Sequence, residues 1–151
     1  MEETLNGNSR QKEVKAIGLT FIKRGVAYVA LLLAAAMAVA YTSDNEWIVV
    51  PATVSALYTL AIVVAEGLLW GRVASRSVDA LTTFYSAVSG FRMLLTLGVM
   101  FGYYLAFGRD EMLGFLSVLA PFYVVMLVHH SIFFGMKSKI IDKFNNVKQH
   151  S

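Results

Sequence analysis

The fold of this chain is decided by residues 47–70, which read WIVVPATVSALYTLAIVVAEGLLW. The run carries one charged residue, Glu66, and it exceeds the roughly 20 residues that a helix needs to cross a bilayer. Three further runs have the same character, at about 17–41, 79–108 and 112–136. The sequence therefore predicts an all-α membrane protein with four transmembrane helices.

The composition excludes a soluble globular domain. Of the 151 residues, 57% are hydrophobic and only 15% are charged, where soluble domains carry about 25% charged residues. A soluble chain of this size has too high a surface-to-volume ratio to bury so much apolar surface. The absence of cysteine excludes disulfides, thiolate chemistry and cysteine metal sites. The basic residues flank the apolar runs, which indicates anionic lipid headgroups rather than nucleic acid as their partner.

The charge distribution predicts the topology. Every Lys and Arg except Arg109 falls on one side of the four predicted helices, and the positive-inside rule makes that side cytoplasmic. Short links predict two helical hairpins in a multi-pass membrane protein with both termini in the cytoplasm. Trp47 and Trp70 bracket the second span as interfacial anchors would. The alternative of a signal peptide cleaved after 38–40 is disfavoured by the long charged segment before it.

The chain divides into three parts. Residues 1–12 favour disorder, residues 13–136 form the predicted transmembrane domain, and residues 137–151 form a basic tail. In this tail Ile140, Ile141, Phe144 and Val147 recur at helical spacing beside lysines. The pattern favours a short amphipathic helix on an anionic leaflet, and a frayed polar tail is the alternative.

Ionisable residues gather at one depth of the predicted bundle. At 1.5 Å per residue, Arg92 lies about 24 Å and His129 about 25 Å from the outer ends of their helices. Glu66 lies roughly 6 Å inside the cytoplasmic end of the second helix. Such groups are costly in hydrocarbon and usually face the bundle interior. The predicted intramembrane polar layer comprises Lys23, Arg24, Glu66, Arg92, His129 and His130.

The positions of Glu66 and Arg92 allow several interpretations. The two residues can form a buried pair that sets the helix register, which is the interpretation we favour. Glu66 can instead serve a proton or cation site, or pair with Lys23 or Arg24. Arg92 can also snorkel to the interface without a partner.

No motif indicates catalysis or a cofactor. His129 and His130 point about 100° apart on a helix, so they cannot chelate one ion from the same face. The sequence lacks nucleotide-binding, hydrolase and zinc-protease motifs. We therefore expect a protein that is not an enzyme, without catalytic, cofactor or metal residues; one of the two histidines should face the interior and the other the headgroups.

Small and polar residues indicate how the helices pack. Gly98 and Gly102 form a GxxxG motif on the third helix, and Gly67 and Gly71 repeat the spacing on the second. This spacing allows close backbone approach, either within the bundle or to a partner helix. Hydroxyl-bearing stripes on both helices predict interhelical hydrogen bonds, with a narrow polar path as the alternative. The stripes comprise Ser55 and Thr59 on the second helix, and Tyr85, Ser89, Thr96 and Tyr103 on the third.

The third and fourth helices resemble the ATP synthase I family of small bacterial membrane proteins. The matching stretch is residues 84–96, FYSAVSGFRMLLT, in which Arg92 takes the place of the family's lysine. Ser89 stands where that family has a glutamate, and the family's glycine-rich second helix has no counterpart here. The resemblance implies an accessory protein that helps rotor subunits of the ATP synthase assemble, or that passes divalent cations. Because the glutamate of the family is missing at Ser89, the assembly role is favoured over the passage of cations.

These observations predict a non-enzymatic integral membrane protein that acts through helix contacts. Its partner would be a second copy of the chain or a membrane complex such as the ATP synthase. A small proton or cation transporter that uses Glu66 and Arg92 is the first alternative. A membrane subunit of a respiratory complex is the second.

Overall fold

The computed structural model is helical throughout the part of the chain that it describes. It describes the backbone of residues 2–74 and 79–149, and the side chains of residues 12–13, 15–73, 83–133 and 135–136. Four α-helices and one short 3-10 helix follow one another in this part. They are α1 (Glu2–Thr42), the 3-10 turn (Glu46–Ile48), α2 (Val49–Ala74), α3 (Asp79–Phe107) and α4 (Met112–Gln149).

Each α-helix contains a segment long and apolar enough to cross a membrane. The segments are Lys15–Thr42, Glu46–Val73, Thr83–Phe107 and Met112–Phe133. The prediction of an all-α membrane protein with four spanning helices is therefore confirmed at the level of helix number, length and composition. Many large apolar side chains lie on the outside of the bundle, where acyl chains would cover them.

α2 lies at the centre, and α1 packs along it most closely. The approach depends on small residues at the contact, because a Cβ added at Gly18 would lie 3.0 Å from the carbonyl oxygen of Gly67. About two turns further along α1, Gly25 faces the side chain of Val63. Phe21, which is fully buried, fills the space between these contacts and reaches α4. The α1–α2 pair therefore has a defined register.

α3 and α4 are joined by a tight turn at residues 108–111. α3 ends where Gly108 adopts φ +87° and donates its N–H to the Tyr104 carbonyl at 2.9 Å, a left-handed cap that favours glycine. Close to this turn, the rings of Tyr103 and Phe115 stack with centroids 4.0 Å apart. These contacts hold the C-terminal end of α3 against α4.

The helix bounds differ from the predicted ones at both termini. α1 begins at Glu2 and thus includes most of residues 1–12, for which the composition favours disorder. α4 continues to Gln149 through the predicted tail, since a helix can extend by local hydrogen bonds once a preceding turn is formed. The side chains of residues 137–151, on which the amphipathic prediction depends, lie outside the described residues, as does Arg76 of the inner link.

The prediction that Trp70 is an interfacial anchor is wrong. Its side chain is fully buried and lies 3.9 Å from the position of a Cβ on Gly18. Its indole nitrogen donates to the Tyr85 hydroxyl at 3.4 Å. The indole finds its polar partner on α3, and so it needs no headgroup. Trp47, by contrast, is 47% exposed and rests its ring against Gly114.

Candidate functional site

The candidate site is an ionic cluster built on one carboxylate, that of Glu66 on α2. Arg92 of α3 donates to Glu66 Oε1 from Nε at 2.9 Å and also from Nη2. His130 of α4 places Nδ1 2.8 Å from the other carboxylate oxygen, Oε2. Three helices therefore meet at this side chain. The exposed fractions are 3% for Glu66, 2% for Arg92 and 9% for His130, so the cluster is screened from its surroundings.

The chemistry of the cluster follows from its donors and acceptors. An ionised carboxylate only accepts hydrogen bonds, so Nδ1 of His130 carries the hydrogen that lies between them. Both oxygens of Glu66 are engaged, one by a cation and one by the imidazole. The opposite charges of Glu66 and Arg92 offset the desolvation that each would suffer alone in hydrocarbon. An ion pair with these hydrogen bonds is suited to holding its helices in a fixed arrangement.

A second layer of hydrogen bonds fixes the backbone that carries Arg92. The Tyr58 hydroxyl of α2 donates to Thr96 Oγ1 at 2.6 Å and lies 3.3 Å from the Arg92 carbonyl oxygen. Thr96 donates to the same carbonyl at 2.8 Å. Since Tyr58 and Glu66 both lie on α2, this helix holds α3 at two neighbouring turns.

The two adjacent histidines occupy different environments, as helical geometry requires. His130 faces the cluster, and its ring lies edge-on to those of Phe21 and Tyr85. His129 lies against α1, where its ring stacks on Phe21 with centroids 4.7 Å apart and contacts Tyr28 edge-on. His129 is half-buried. The predicted interior histidine is thus His130, while its neighbour packs on α1.

Lys23 and Arg24 are exposed, although the sequence places them in the same polar layer. Among the described side chains, Glu66 takes its hydrogen bonds from Arg92 and His130. Arg24 instead lines a groove of about 320 Å³ between α1 and α4, together with Tyr28 and His129. The six residues of the predicted layer therefore separate into a buried cluster of three, a pair of exposed cations, and the half-buried His129 that packs on α1.

An open cleft leads from the surface to the cluster. It lies between α3 and α4, has a volume of about 330 Å³ and reaches Arg92 and His130. Its walls include the polar side chains Tyr85, Ser89 and Ser131. This cleft is thus a polar approach to the cluster from between α3 and α4.

The hydroxyl stripes have unequal roles. Thr96 and Tyr85 of α3 make contacts with α2, as the predicted interhelical hydrogen bonds require. Thr59 instead donates to the Ser55 carbonyl of its own helix at 2.7 Å. The Ser55 hydroxyl is buried, and within the described part of the chain it has no hydrogen-bond partner.

The glycines predicted to pack the helices also divide. Gly67 contacts α1, because a Cβ there would collide with Ile22 and lie 3.3 Å from the Gly18 carbonyl oxygen. Gly71, Gly98 and Gly102 have no atom within 4 Å of an added Cβ, once their own helix backbone and chain neighbours are set aside. Within the described part of the chain these three therefore contact no other helix, and their packing on a partner helix stays a prediction.

Sequence reasoning missed two participants. His130 was not predicted as the third partner of Glu66, and Tyr58 was not predicted as an anchor for α3. The signal for Tyr58 was its position eight residues before Glu66, which places it about 80° around α2 from that residue. The choice between His129 and His130 depends on the rotation of α4, which spacing alone does not define.

Neither a metal centre nor a relative points to a known activity. Among the described residues, no three His, Asp or Glu side chains are grouped closely enough to hold a metal ion. Comparisons with protein families, with curated proteins and with solved structures find no match to this chain. The function must therefore be inferred from the geometry of the molecule.

Proposed function

We propose that this chain is a non-enzymatic integral membrane protein that acts through helix contacts, with α3 as the helix that meets its partner. The observation that carries the proposal is the outer face of α3. Gly98 and Gly102 lie on it with open space above them. Large apolar side chains surround the two glycines and are well exposed, namely Phe91, Leu94, Phe101 and Leu105.

α3 has two distinct faces, one with the two glycines and one that binds α2. At 100° per residue, the six residues of the outer face fall within about 60° of Gly98. Arg92 and Thr96, which bind α2, lie about 120° or more away from Gly98 on the same count. The ionic cluster thus fixes the rotation of α3 and directs the glycine face outward. A GxxxG face in a membrane favours close contact with another helix.

The ATP synthase is the partner complex that we propose first, and a second copy of the chain is the alternative. The resemblance to the ATP synthase I family covers residues 84–96, and this stretch contains both Arg92 and part of the outer face of α3. An assembly role requires contacts rather than chemistry. In this proposal the protein forms two hairpins in the bacterial inner membrane, with both termini in the cytoplasm.

The test compares two leucine substitutions on the outer face with one elsewhere on α3. In Gly98→Leu/Gly102→Leu, the two leucine side chains should prevent close contact with another helix. The variant should still form α3, because leucine favours a helix by about 1 kcal/mol per site over glycine. We expect the double variant to fold normally and to lose at least tenfold in association. The measurements are energy transfer between labelled copies in liposomes and recovery of assembled ATP synthase rotor rings.

Gly90→Leu is the matched control, because Gly90 is exposed, has equally open space and lies about 80° around the helix from Gly98. It should associate as the unmodified chain does. If the double variant changes neither self-association nor rotor-ring assembly, the proposed contact face is wrong.

A proton pathway is the second candidate, and the cleft between α3 and α4 favours it. This cleft gives a polar approach to His130 and Arg92, next to the carboxylate of Glu66. A cation has less support, since both oxygens of Glu66 are already engaged. Proton flux in liposomes that Glu66→Gln abolishes while folded yield is unchanged would establish this candidate over a structural cluster.

A further inference from the structure

A groove on the α1–α2 face combines two cations with apolar walls. It has a volume of about 350 Å³ and is lined by residues of α1 and α2. Lys15 and Arg72 line one end of it, and Leu19 and Leu68 line its walls. Lys15 and Arg72 are both exposed.

The position of the two cations matches the headgroup level of a bilayer. Lys15 precedes the predicted span at 17–41, and Arg72 follows the predicted span at 47–70. The α1–α2 contacts run from Gly18–Gly67 to Gly25–Val63, so the helices are antiparallel and these two ends lie on the same side of the membrane. Positive charge therefore converges where phosphate groups lie.

The floor of the groove has room for an acyl chain. Gly71 lines it and has no atom within 4 Å of an added Cβ. From Lys15 the groove continues to Ile22, which corresponds to about 10 Å along the helix. This length suits the upper part of one acyl chain, and the walls along it are apolar.

We propose that this groove binds one anionic phospholipid, with its phosphate between Lys15 and Arg72 and one acyl chain along the groove past Gly71. Basic sites between transmembrane helices recognise anionic headgroups in this way. The groove at Arg24 is of similar size, but among the residues whose side chains are described it is lined by a single Lys or Arg. The proposal is independent of the partner of α3, since it concerns the opposite pair of helices.

The experiment measures lipid retention by the full chain. The detergent-purified protein is mixed with phosphatidylglycerol or phosphatidylcholine, and bound lipid is counted by native mass spectrometry. We expect preferential retention of phosphatidylglycerol, lowered on the order of tenfold or more in Lys15→Gln/Arg72→Gln. Lys12→Gln/Lys23→Gln is the matched control, because it removes two exposed cations of α1 that do not line the groove. It should retain the lipid as the unmodified chain does.

A second variant tests the acyl-chain site without changing charge. Gly71→Leu should fill the groove and lower retention of phosphatidylglycerol, while Gly90→Leu should not. The proposal is overturned if the two charge variants lose the lipid equally, or if Gly71→Leu retains it fully. Inorganic phosphate that displaces the lipid at equal concentration would also overturn it, because the site would then recognise free phosphate.

Discussion

Glu66 illustrates how one charge can be placed in a membrane at low cost. Its two oxygens face partners from two other helices, so the carboxylate is neutralised by Arg92 and hydrogen-bonded by His130. Removing either member of a buried ion pair leaves the other charge unpaired, which costs more than the intact pair contributes. The stability of the bundle should therefore depend on the pair rather than on either residue.

Glu66→Gln and Arg92→Gln should each destabilise the folded protein by about 3–5 kcal/mol, because each leaves an isolated buried charge. The double variant should recover part of this loss, since no charge remains buried. Thermal unfolding in detergent and folded yield measure the effect. Lys23→Gln, at an exposed cation, should be close to neutral. A double variant that shows the full sum of both losses would contradict the coupling.

At the scale of elements, the two GxxxG motifs show what spacing predicts and what it does not. Gly67–Gly71 and Gly98–Gly102 have identical spacing in the sequence. Gly67 is pressed against Ile22 of α1, while Gly98 and Gly102 face outward. The spacing identified residues suited to close contact. The choice of contact depends on helix rotation, which the buried ionic cluster sets through long-range partners.

Gly67→Leu should therefore destabilise the bundle by about 1–3 kcal/mol through overpacking against α1. Gly98→Leu should leave the stability equal or higher, because its side chain enters open space and leucine favours the helix. Comparison of the two unfolding midpoints in detergent measures this difference. Equal losses at both sites would mean that α3 packs within the chain through its glycines.

At the scale of the whole molecule, the sequence was sufficient for the helix number and insufficient for their arrangement. Apolar runs of membrane-spanning length depend only on local composition, and all four were predicted within a few residues at their outer ends. The contact of Glu66 with Arg92 was also foreseen, from their similar depth. Trp70 was misplaced because its hydrogen-bond partner, Tyr85, comes from another helix.

The topology remains a prediction of the charge distribution, and it can be tested directly. Reporter fusions after residue 151 should be active only with a cytoplasmic reporter, because Lys and Arg retain that side. Fusions within residues 109–111 should be active only with a periplasmic reporter. A terminal fusion that is active in the periplasm would contradict the arrangement with both ends inside.

The order in which the helices are synthesised has a consequence for the ionic cluster. During synthesis α2 emerges before α3, and α4 emerges last, so Glu66 enters the membrane before either of its partners exists. α3 is also the least hydropathic of the four spans, and its arginine needs the waiting carboxylate as a counter-ion. A chain that stalls after α2 would expose an unpaired acid within the lipid. The carboxylate therefore stabilises the finished bundle, whereas in a chain without α3 and α4 its charge has no counter-ion from those helices.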